Sequence, residues 1–371
     1  FVTLRKYFPC TSQTVTDPAL KGHKESGFVL VAVLALLVVL TLLASAVAVA
    51  SMRAVSDAQT DLDAFNGELD MISTRDTLLF MLSTQRMTLG GLTVDDAVAT
   101  SGPSADDEDT EGLAVMPVGN EIRLDNTPYA GIGNAHFALQ DGRGLLNPNL
   151  TADFMRHSLY AQQSIPPEEW AGLDAKRLDY QDPDFLNRLG GAEAKEYIAA
   201  GLPAPTNRVV ATPLEYRRIL GWDKVLGKMN DDQLLGMMSV DRNISINLNS
   251  APASVIAMIP GMDLAQAERL VALRAQAPFV SLGQVRQTFP ISPIADEAMT
   301  LFSSNSGNLS LWDKRLGRQR LSHWAMTPYD YGGRPWRINY EVTLPRGQQS
   351  DPDVVQPPAS PFFTAQGKAG A

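Results

Sequence analysis

The stretch "GHKESGFVLVAVLALLVVLTLLASAVAVASMR", residues 22–53, decides how the chain is organised. Residues 28–52 contain no charged side chain. A helix over them, rising about 1.5 Å per residue, is longer than the roughly 30 Å hydrocarbon core of a bilayer. The pattern therefore predicts a membrane-spanning helix. A buried core helix of a soluble protein is the alternative, but such helices seldom stay apolar on all sides for this length.

The charges on either side of this segment predict its orientation. Basic residues precede it and acidic residues follow it: Arg5, Lys6, Lys21 and Lys24 before, and Asp57, Asp61 and Asp63 after. Positively charged flanks stay in the cytoplasm. We therefore expect the N-terminus in the cytoplasm and the rest of the chain outside.

Composition constrains the exported part. The chain has 371 residues, a formal net charge of −10 and 44% apolar residues, which is enough for a substantial core. The acidic balance argues against a surface for nucleic acid or anionic membrane. The single cysteine, Cys10, precedes the membrane segment, so the exported part has no disulfide framework.

The junction between Gly27 and Phe28 suggests how the N-terminus is processed. A secretory signal peptide has a shorter apolar core with its cleavage motif after it. Here basic residues and Gly27 come first, and the apolar run begins at Phe28. This order resembles the leader of type IV pilins and type II secretion pseudopilins. The resemblance implies that residues 1–27 are a cytoplasmic leader, cut between Gly27 and Phe28 by prepilin peptidase, which then methylates the new N-terminus. An uncleaved single-pass anchor is the alternative.

Ala32 departs from the pattern of that superfamily. Most members carry Glu at the fifth mature position, where the carboxylate neutralises a neighbour's N-terminal ammonium inside the membrane. Ala32 occupies this position here. The departure indicates either a protein outside the superfamily or a subunit that caps an assembly and pairs with no preceding amine. The K-type minor pseudopilin is the member that typically lacks this Glu.

Beyond the membrane segment, the periodicity predicts a long spine helix. Apolar residues recur at three- and four-residue steps, so we expect the helix to continue to about residue 89, where Gly90-Gly91 ends it. Residues 95–112 are acidic and small, which predicts a mobile loop. A calcium site within Asp106 to Asp109 is the alternative.

Short alternating runs predict strands. They lie at residues 120–124, 134–141 and 336–344. We expect a pilin-like sheet in two parts, 90–149 and 294–345, with a helical insertion over 150–293 between them. The Pro-, Gln- and Gly-rich residues 346–371 predict a disordered tail.

The insertion carries several helix start signals. They are capping-box patterns, in which a cap and the third residue after it exchange hydrogen bonds: Thr212 with Glu215, Asp263 with Gln266, and Ser281 with Gln284. Apolar and polar residues alternate over 244–248, which predicts a brief strand.

Residues 259–274, "IPGMDLAQAERLVALR", predict a helix–hairpin–helix, a unit often used to hold DNA phosphates. Hairpins that bind DNA do so with N–H groups at a helix start, a Gly-x-Gly turn and nearby Lys. Here Asp263 stands where the second glycine would be, and it is predicted to cap its own helix. Arg269 and Arg274 are the only cations in residues 250–280. We therefore favour a scaffold role for Gly261 and Asp263 over DNA binding.

The order of these features resembles the K-type minor pseudopilin of type II secretion, from Gly27 to roughly Leu344. The stretches that carry the resemblance are residues 178–208, 212–223, 246–252 and 259–274. It implies an α+β fold, in which a transmembrane spine helix packs on a small antiparallel sheet and a large, mainly helical insertion contains the hairpin.

The resemblance also implies a function. We expect a structural protein, not an enzyme, that caps the pseudopilus tip and nucleates its assembly for export of folded proteins across the outer membrane. We expect it in the bacterial inner membrane, single-pass, with a periplasmic C-terminal domain. The implied partners are other minor pseudopilins, the major pseudopilin, prepilin peptidase, the inner-membrane secretion platform and secreted cargo, and not nucleic acid. A minor pilin of a type IV pilus and a membrane-anchored DNA-binding uptake receptor are the alternatives.

Motifs of catalysis are missing from the sequence of the exported part. It has no Cys nucleophile, no His-Glu-x-x-His pair and no Gly-x-Ser-x-Gly elbow. His136, His157 and His323 stand far apart in unrelated contexts. We therefore predict no active site.

The best candidate for a ligand site is the acidic turn of Asp179, Asp182 and Asp184. Several carboxylates on a Pro-containing turn offer oxygen ligands to a hard cation such as calcium. Some K-type pseudopilins bind calcium, so the resemblance makes calcium a candidate cofactor. The sequence favours the alternative, in which these acids cap helices and form a turn.

Overall fold

The structure, a computed structural model, describes residues 26–95, 115–330, 333–346, 353–360 and 362–363. Its contacts divide the chain into two units, residues 1–62 and 63–371. The boundary falls within the first helix, α1, which spans Ser26–Thr84.

The first unit, in its described part, is the apolar portion of α1. This is the helix of the described residues that is long and apolar enough to cross a membrane, and its apolar stretch is exposed. Phe28 is 82% exposed and Met52 is 72% exposed. Such a surface is stable in lipid but not in water, as the predicted single-pass anchor requires.

The second unit contains the remaining helices and the strands. The helices are α2 Asp153–Gln162, α3 Pro167–Asp179, α4 Ala194–Ala199, α5 Asp223–Leu226, α6 Asp231–Leu235, α7 Ala253–Ile256, α8 Leu264–Gln276 and α9 Leu282–Thr288. The strands are β1 Met87–Thr88, β2 Gly91–Thr93, β3 Glu121–Ile122, β4 Asp125–Ala130, β5 His136–Asp141, β6 Ile246–Asn247, β7 Met299–Thr300, β8 Ser306–Trp312, β9 Arg318–Met326 and β10 Trp336–Pro345. Short 3-10 helices lie at Gly142–Gly144, Pro213–Arg218 and Pro293–Ala298.

The main sheet is antiparallel throughout, in the order β10-β9-β8-β5-β4. The C-terminal part of α1 packs on one face of it. Leu78 and Met81 of α1 are fully buried in one cluster with Phe137, Leu309 and Trp324 of the sheet. The predicted α+β class, with a spine helix on a small antiparallel sheet, is confirmed.

The helical region is inserted between neighbouring strands of this sheet. β5 ends at Asp141, β8 begins at Ser306, and Asp141 pairs with Gly307. Residues 142–305 therefore leave the sheet and return to the adjacent strand. This excursion begins before and ends after the predicted range of 150–293, and it has its own aromatic core, in which Tyr216 stacks on Trp222 at 5.3 Å.

The spine ends earlier than predicted. α1 stops at Thr84, after which the chain turns into β1 and Met87 and Thr88 pair with β2. Gly90 lies in the turn between β1 and β2 instead of ending the helix. Gly91 has φ +137°, and a Cβ there would lie 2.2 Å from the Ile122 carbonyl oxygen.

Two of the three capping-box predictions need correction. Asp263 and Gln266 form the complete box. Thr212 makes no capping bond and precedes a 3-10 helix, because Glu215 is buried and accepts instead from the Ala211 N–H at 2.9 Å. Ser281 accepts only from the Gly283 N–H.

The extended segments also differ in part from the prediction. Residues 120–124, 134–141 and 336–344 do contain strands β3, β5 and β10. In the run 244–248, only Ile246–Asn247 forms a strand, because its partner in the parallel pair is the equally short Met299–Thr300.

Part of the predicted disordered tail is ordered. Residues 353–360 and 362–363 lie on the second unit, where Ser360 is buried and Phe362 and Phe363 pack against the sheet core. Their apolar side chains supply the burial that offsets the entropy of ordering. The leader residues 1–25 and the acidic residues 96–114, including Asp106 to Asp109, lie outside the described residues.

Candidate functional site

The turn before α8 requires a glycine. Gly261 has φ +94°, and a Cβ there would lie 2.0 Å from the Pro290 carbonyl oxygen. The Ser292 N–H donates to the Pro260 carbonyl at 2.9 Å, which holds the two loops together. Asp263 then caps α8: its carboxylate accepts from the Gln266 N–H at 2.7 Å.

The cations of the hairpin are engaged within the protein. Arg274 is 5% exposed and donates to the carbonyls of Leu248 and Ala251 at 2.8 and 2.5 Å. Burial lowers the pKa of Arg274 to about 10, against the opposing effect of Asp125. The guanidinium of Arg269 lies 6.0 Å from the ring centre of Phe289. This arrangement suits a packing element better than a phosphate site.

Replacing Gly261→Ala should destabilise the second unit by about 3 kcal/mol, because the new Cβ meets a backbone carbonyl and the left-handed φ is strained. Urea unfolding followed by tryptophan fluorescence measures this loss. The matched control is Gly119→Ala, at φ +86° with nothing within 4 Å of the added Cβ, where strain alone should cost about 1 kcal/mol. Equal losses at the two positions would show that the contact with Pro290 does not matter.

The acidic turn after α3 gathers three carboxylates, but they differ from the predicted set. Asp182, Asp184 and Glu193 each offer an oxygen, and these atoms lie within 4.8 Å of one another. Glu193 immediately precedes α4, so the loop after α3 brings it back to the turn. Sequence reasoning missed Glu193 because its distance along the chain hides the contact, and the one signal for it was its place at a helix start.

Asp179 is not part of this group. Its carboxylate is fully buried and accepts from the Arg188 guanidinium at 2.6 Å and from the N–H groups of Arg188 and Ala192 at 3.2 and 3.0 Å. These bonds satisfy both oxygens. Asp179 therefore organises the turn, as the capping alternative expected, and Glu193 takes the third position.

The three carboxylates could hold a hard cation such as calcium. Among the described residues, Oδ1 of Asp182 and both carboxylate oxygens of Glu193 are buried without a hydrogen-bond partner. Burial raises the pKa of Glu193, and the nearby charges of Asp179, Asp182 and Asp184 raise it further. Of the three carboxylates in the group, Asp182 is the one paired with Arg188, which also binds Asp179 outside the group. A hard divalent cation would neutralise the excess negative charge and satisfy these oxygens.

Calcium is expected to raise the melting temperature of the chain by several degrees, and Glu193→Gln should abolish this shift. Without calcium, the same variant should be at least as stable as the wild type at pH 7, because a carboxylate with a raised pKa destabilises the fold when it is charged. Differential scanning fluorimetry with calcium or EGTA measures both effects. Glu168→Gln, an exposed acid of α3 outside the group, is the control. An unchanged calcium shift in Glu193→Gln would remove Glu193 from the site.

The predicted processing residues lie in the first turns of α1. Gly27 and Phe28 fall just after the helix begins at Ser26, and Ala32 lies about one turn further on an exposed stretch.

The histidines have separate surroundings. His157 contacts Asp174 at 3.2 Å, His323 contacts Asp241 at 3.0 Å, and His136 stacks on Trp312.

A long N-terminal helix that is apolar enough to cross a membrane, and whose C-terminal part packs on an antiparallel sheet, defines a pilin-like fold. Within it, residues 246–304 match the family model of protein K of the type II secretion system. This range runs from β6 through the hairpin to the loop before β8, and so lies within the insertion. The segment is therefore similar to the protein K family, and the resemblance to K-type minor pseudopilins stated from the sequence is confirmed.

The chain is also similar to a solved structure, the crystal structure of the GspK-GspI-GspJ complex from the enterotoxigenic Escherichia coli type 2 secretion system. The identity is 14%, the TM-score is 0.39, and the alignment covers 77% of this chain and 96% of that chain. No curated protein matches the chain.

Proposed function

We propose that the chain caps the tip of a type II secretion pseudopilus and starts its assembly. The observation that carries this proposal is the protein K match over residues 246–304, inside an insertion between neighbouring strands of a pilin-like sheet. An insertion of this size reduces the surface on which another subunit could stack. A tip subunit needs no such surface.

The N-terminal helix supports the same role. Its exposed apolar side chains suit packing against lipid and against the helices of other pseudopilins. Ala32 lacks the carboxylate that would neutralise the N-terminal ammonium of a preceding subunit. We infer that prepilin peptidase cuts between Gly27 and Phe28, and that the body of the protein works in the periplasm as a structural component and not as an enzyme. The proposed partners are the other minor pseudopilins, the major pseudopilin, the inner-membrane platform and secreted cargo.

Photo-crosslinking tests the tip position. A crosslinking amino acid at position 32 should join subunits on one side of this chain only, and the same probe in the major pseudopilin should join subunits on both sides. Crosslinks to both sides of position 32 throughout the fibre would contradict the proposal.

A secretion assay shows whether the protein serves type II secretion or a type IV pilus. In type II secretion, deletion of the gene should abolish secretion of a folded exoprotein, and the wild-type chain should restore it.

The DNA-receptor alternative has a separate test. With Arg274 buried and Arg269 against Phe289, we expect no salt-dependent DNA binding in a mobility-shift assay. Binding that weakened steeply with salt would revive that alternative.

A further inference from the structure

The C-terminal strap, defined as residues 353–360 and 362–363, lies along the free edge of the main sheet. Val355 forms a parallel bridge with Tyr129 of the edge strand β4. The Val355 N–H donates to the Pro128 carbonyl at 2.9 Å, and the Ala130 N–H donates to the Val355 carbonyl at 3.0 Å. The strap therefore adds a short strand to an edge that would otherwise be open.

Aromatic side chains anchor the end of the strap. Phe363 stacks on Phe137 of β5, with 5.6 Å between ring centres and an interplanar angle of 9°. Phe362 meets Phe80 of α1 edge to face at 5.8 Å. Between the bridge and the rings, the buried Ser360 donates its hydroxyl to the Val94 carbonyl at 3.4 Å. We call this surface, made by Phe80, Val94, residues 128–130 and Phe137, the docking groove.

The attachment of the strap is limited. Among the described residues of this segment, Val355 alone pairs with β4, and Pro357 and Pro358 have no N–H with which to extend the ladder. Phe362 and Phe363 are only partly buried. Segments held by few backbone bonds and partial burial open locally at low free energy.

Aromatic side chains form the surface that the strap covers. With the strap in place, Phe137 is 0% exposed, Tyr129 is 4% exposed, and their rings stack at 5.5 Å. An open strand edge beside an aromatic pocket is the arrangement by which many domains bind extended peptides, since the backbone bonds give affinity and the pocket gives specificity.

We propose that the docking groove is a peptide-binding site, which the strap occupies in cis and an extended segment of another protein takes in its place. The chemistry of the strap defines the ligand: one residue with a free N–H and carbonyl to pair with β4, then prolines, then two adjacent aromatic side chains. A tethered strap has an effective concentration on the order of mM. The strap therefore prevents weakly binding peptides from occupying the docking groove. A segment of another protein displaces it when an assembly holds that segment at a comparable effective concentration. This proposal does not depend on the role in secretion.

The test uses the full chain in detergent micelles and a fluorescent peptide of residues 353–363, DVVQPPASPFF. A variant that ends at Arg346 should bind the peptide in fluorescence polarisation, and the intact chain should bind it at least about tenfold more weakly. Methylating the N–H of Val355 in the peptide should weaken binding by about tenfold, because that N–H donates to Pro128. Methylating the N–H of Gln356 is the matched control and should change little.

A second variant covers the case in which the truncated chain does not fold. Phe362→Ala with Phe363→Ala in the full chain removes the anchors and leaves the groove intact, so this variant should also bind the peptide. A peptide with the same two alanines should bind about tenfold more weakly than the natural one. The proposal is overturned if neither variant binds the peptide while either keeps its tryptophan fluorescence, or if the intact chain binds as tightly as the variants.

Discussion

Asp141→Ala is expected to lower the free energy of unfolding of the second unit by about 4 kcal/mol. Asp141 is fully buried at the point where β5 passes into the insertion. Its carboxylate accepts hydrogen bonds from the two ends of the insertion and from residues within it, at 2.7 to 3.1 Å. The donors at the ends are the Arg143 N–H and the N–H and hydroxyl of Ser304, and the donors within it are the Asn247 amide and the Ser250 hydroxyl. Removing the acceptor leaves the buried Asn247 amide and the buried Ser304 N–H without this partner, and an unpaired buried donor costs more than the lost bond.

Two measurements check this expectation. Urea unfolding by tryptophan fluorescence gives the loss of free energy, since Trp222, Trp312 and Trp324 are buried. In Asp141→Ala, backbone amides near Asn247 and Ser304 should exchange hydrogen faster than those in β9, because the segments that lose the Asp141 contacts open first. Asp330→Ala, an exposed aspartate in a turn, is the control and should cost no more than about 0.5 kcal/mol. A loss at Asp141 as small as at Asp330 would show that Asp141 does not hold the insertion to the sheet.

Asp174→Asn should cost about 3 kcal/mol at pH 7, since removing one partner of a buried ion pair leaves the other charge uncompensated. Asp174 contacts Arg156 at 2.9 Å, accepts from the Tyr160 hydroxyl at 3.0 Å and lies 3.8 Å from the Arg177 guanidinium. Both arginine side chains are buried, at 7% and 4% exposed. Asp153→Asn is the matched control, because Asp153 also contacts Arg156 but is 78% exposed. It should cost less than about 1 kcal/mol.

The same carboxylate predicts a pH dependence. Burial alone would raise the pKa of Asp174, but Arg156 and Arg177 outweigh it and lower that pKa below its usual value. A lowered pKa in the folded state means that the stabilisation is fully present above about pH 4 and is lost as the pH falls through the folded-state pKa. The difference in stability between wild type and Asp174→Asn should therefore shrink between pH 5 and about pH 2. A constant difference over this range would indicate that lost packing, and not charge, causes the effect.

The candidate calcium site shows where sequence reasoning succeeds and where it fails. The acidic turn was visible because its aspartates are close in sequence. Whether each one is available to a metal depends on donors that the turn meets in space. Arg188 and the Ala192 N–H donate to Asp179. The loop before α4 places Glu193, instead of Asp179, beside Asp182 and Asp184. No local pattern contains that exchange.

The spine and the tail show the same division. Periodicity predicted a long spine helix, but the helix ends at Thr84, where β1 and β2 begin their pairing, and not at the glycines. Composition predicted disorder for the tail, because prolines and polar residues dominate it. Phe362 and Phe363 are ordered only because Phe80 and Phe137, far away in sequence, form a surface for them.

The amino-acid sequence by itself determined the long apolar helix, the strand runs and the cap at Asp263, because each depends on residues within a few positions of one another. The tertiary structure alone decided the role of Asp141, the membership of Glu193 in the acidic group and the position of the C-terminal strap. These features depend on burial and on partners that the chain brings together when it returns from β5 to β8. A hydrogen bond or an apolar contact contributes fully to stability only where packing excludes water.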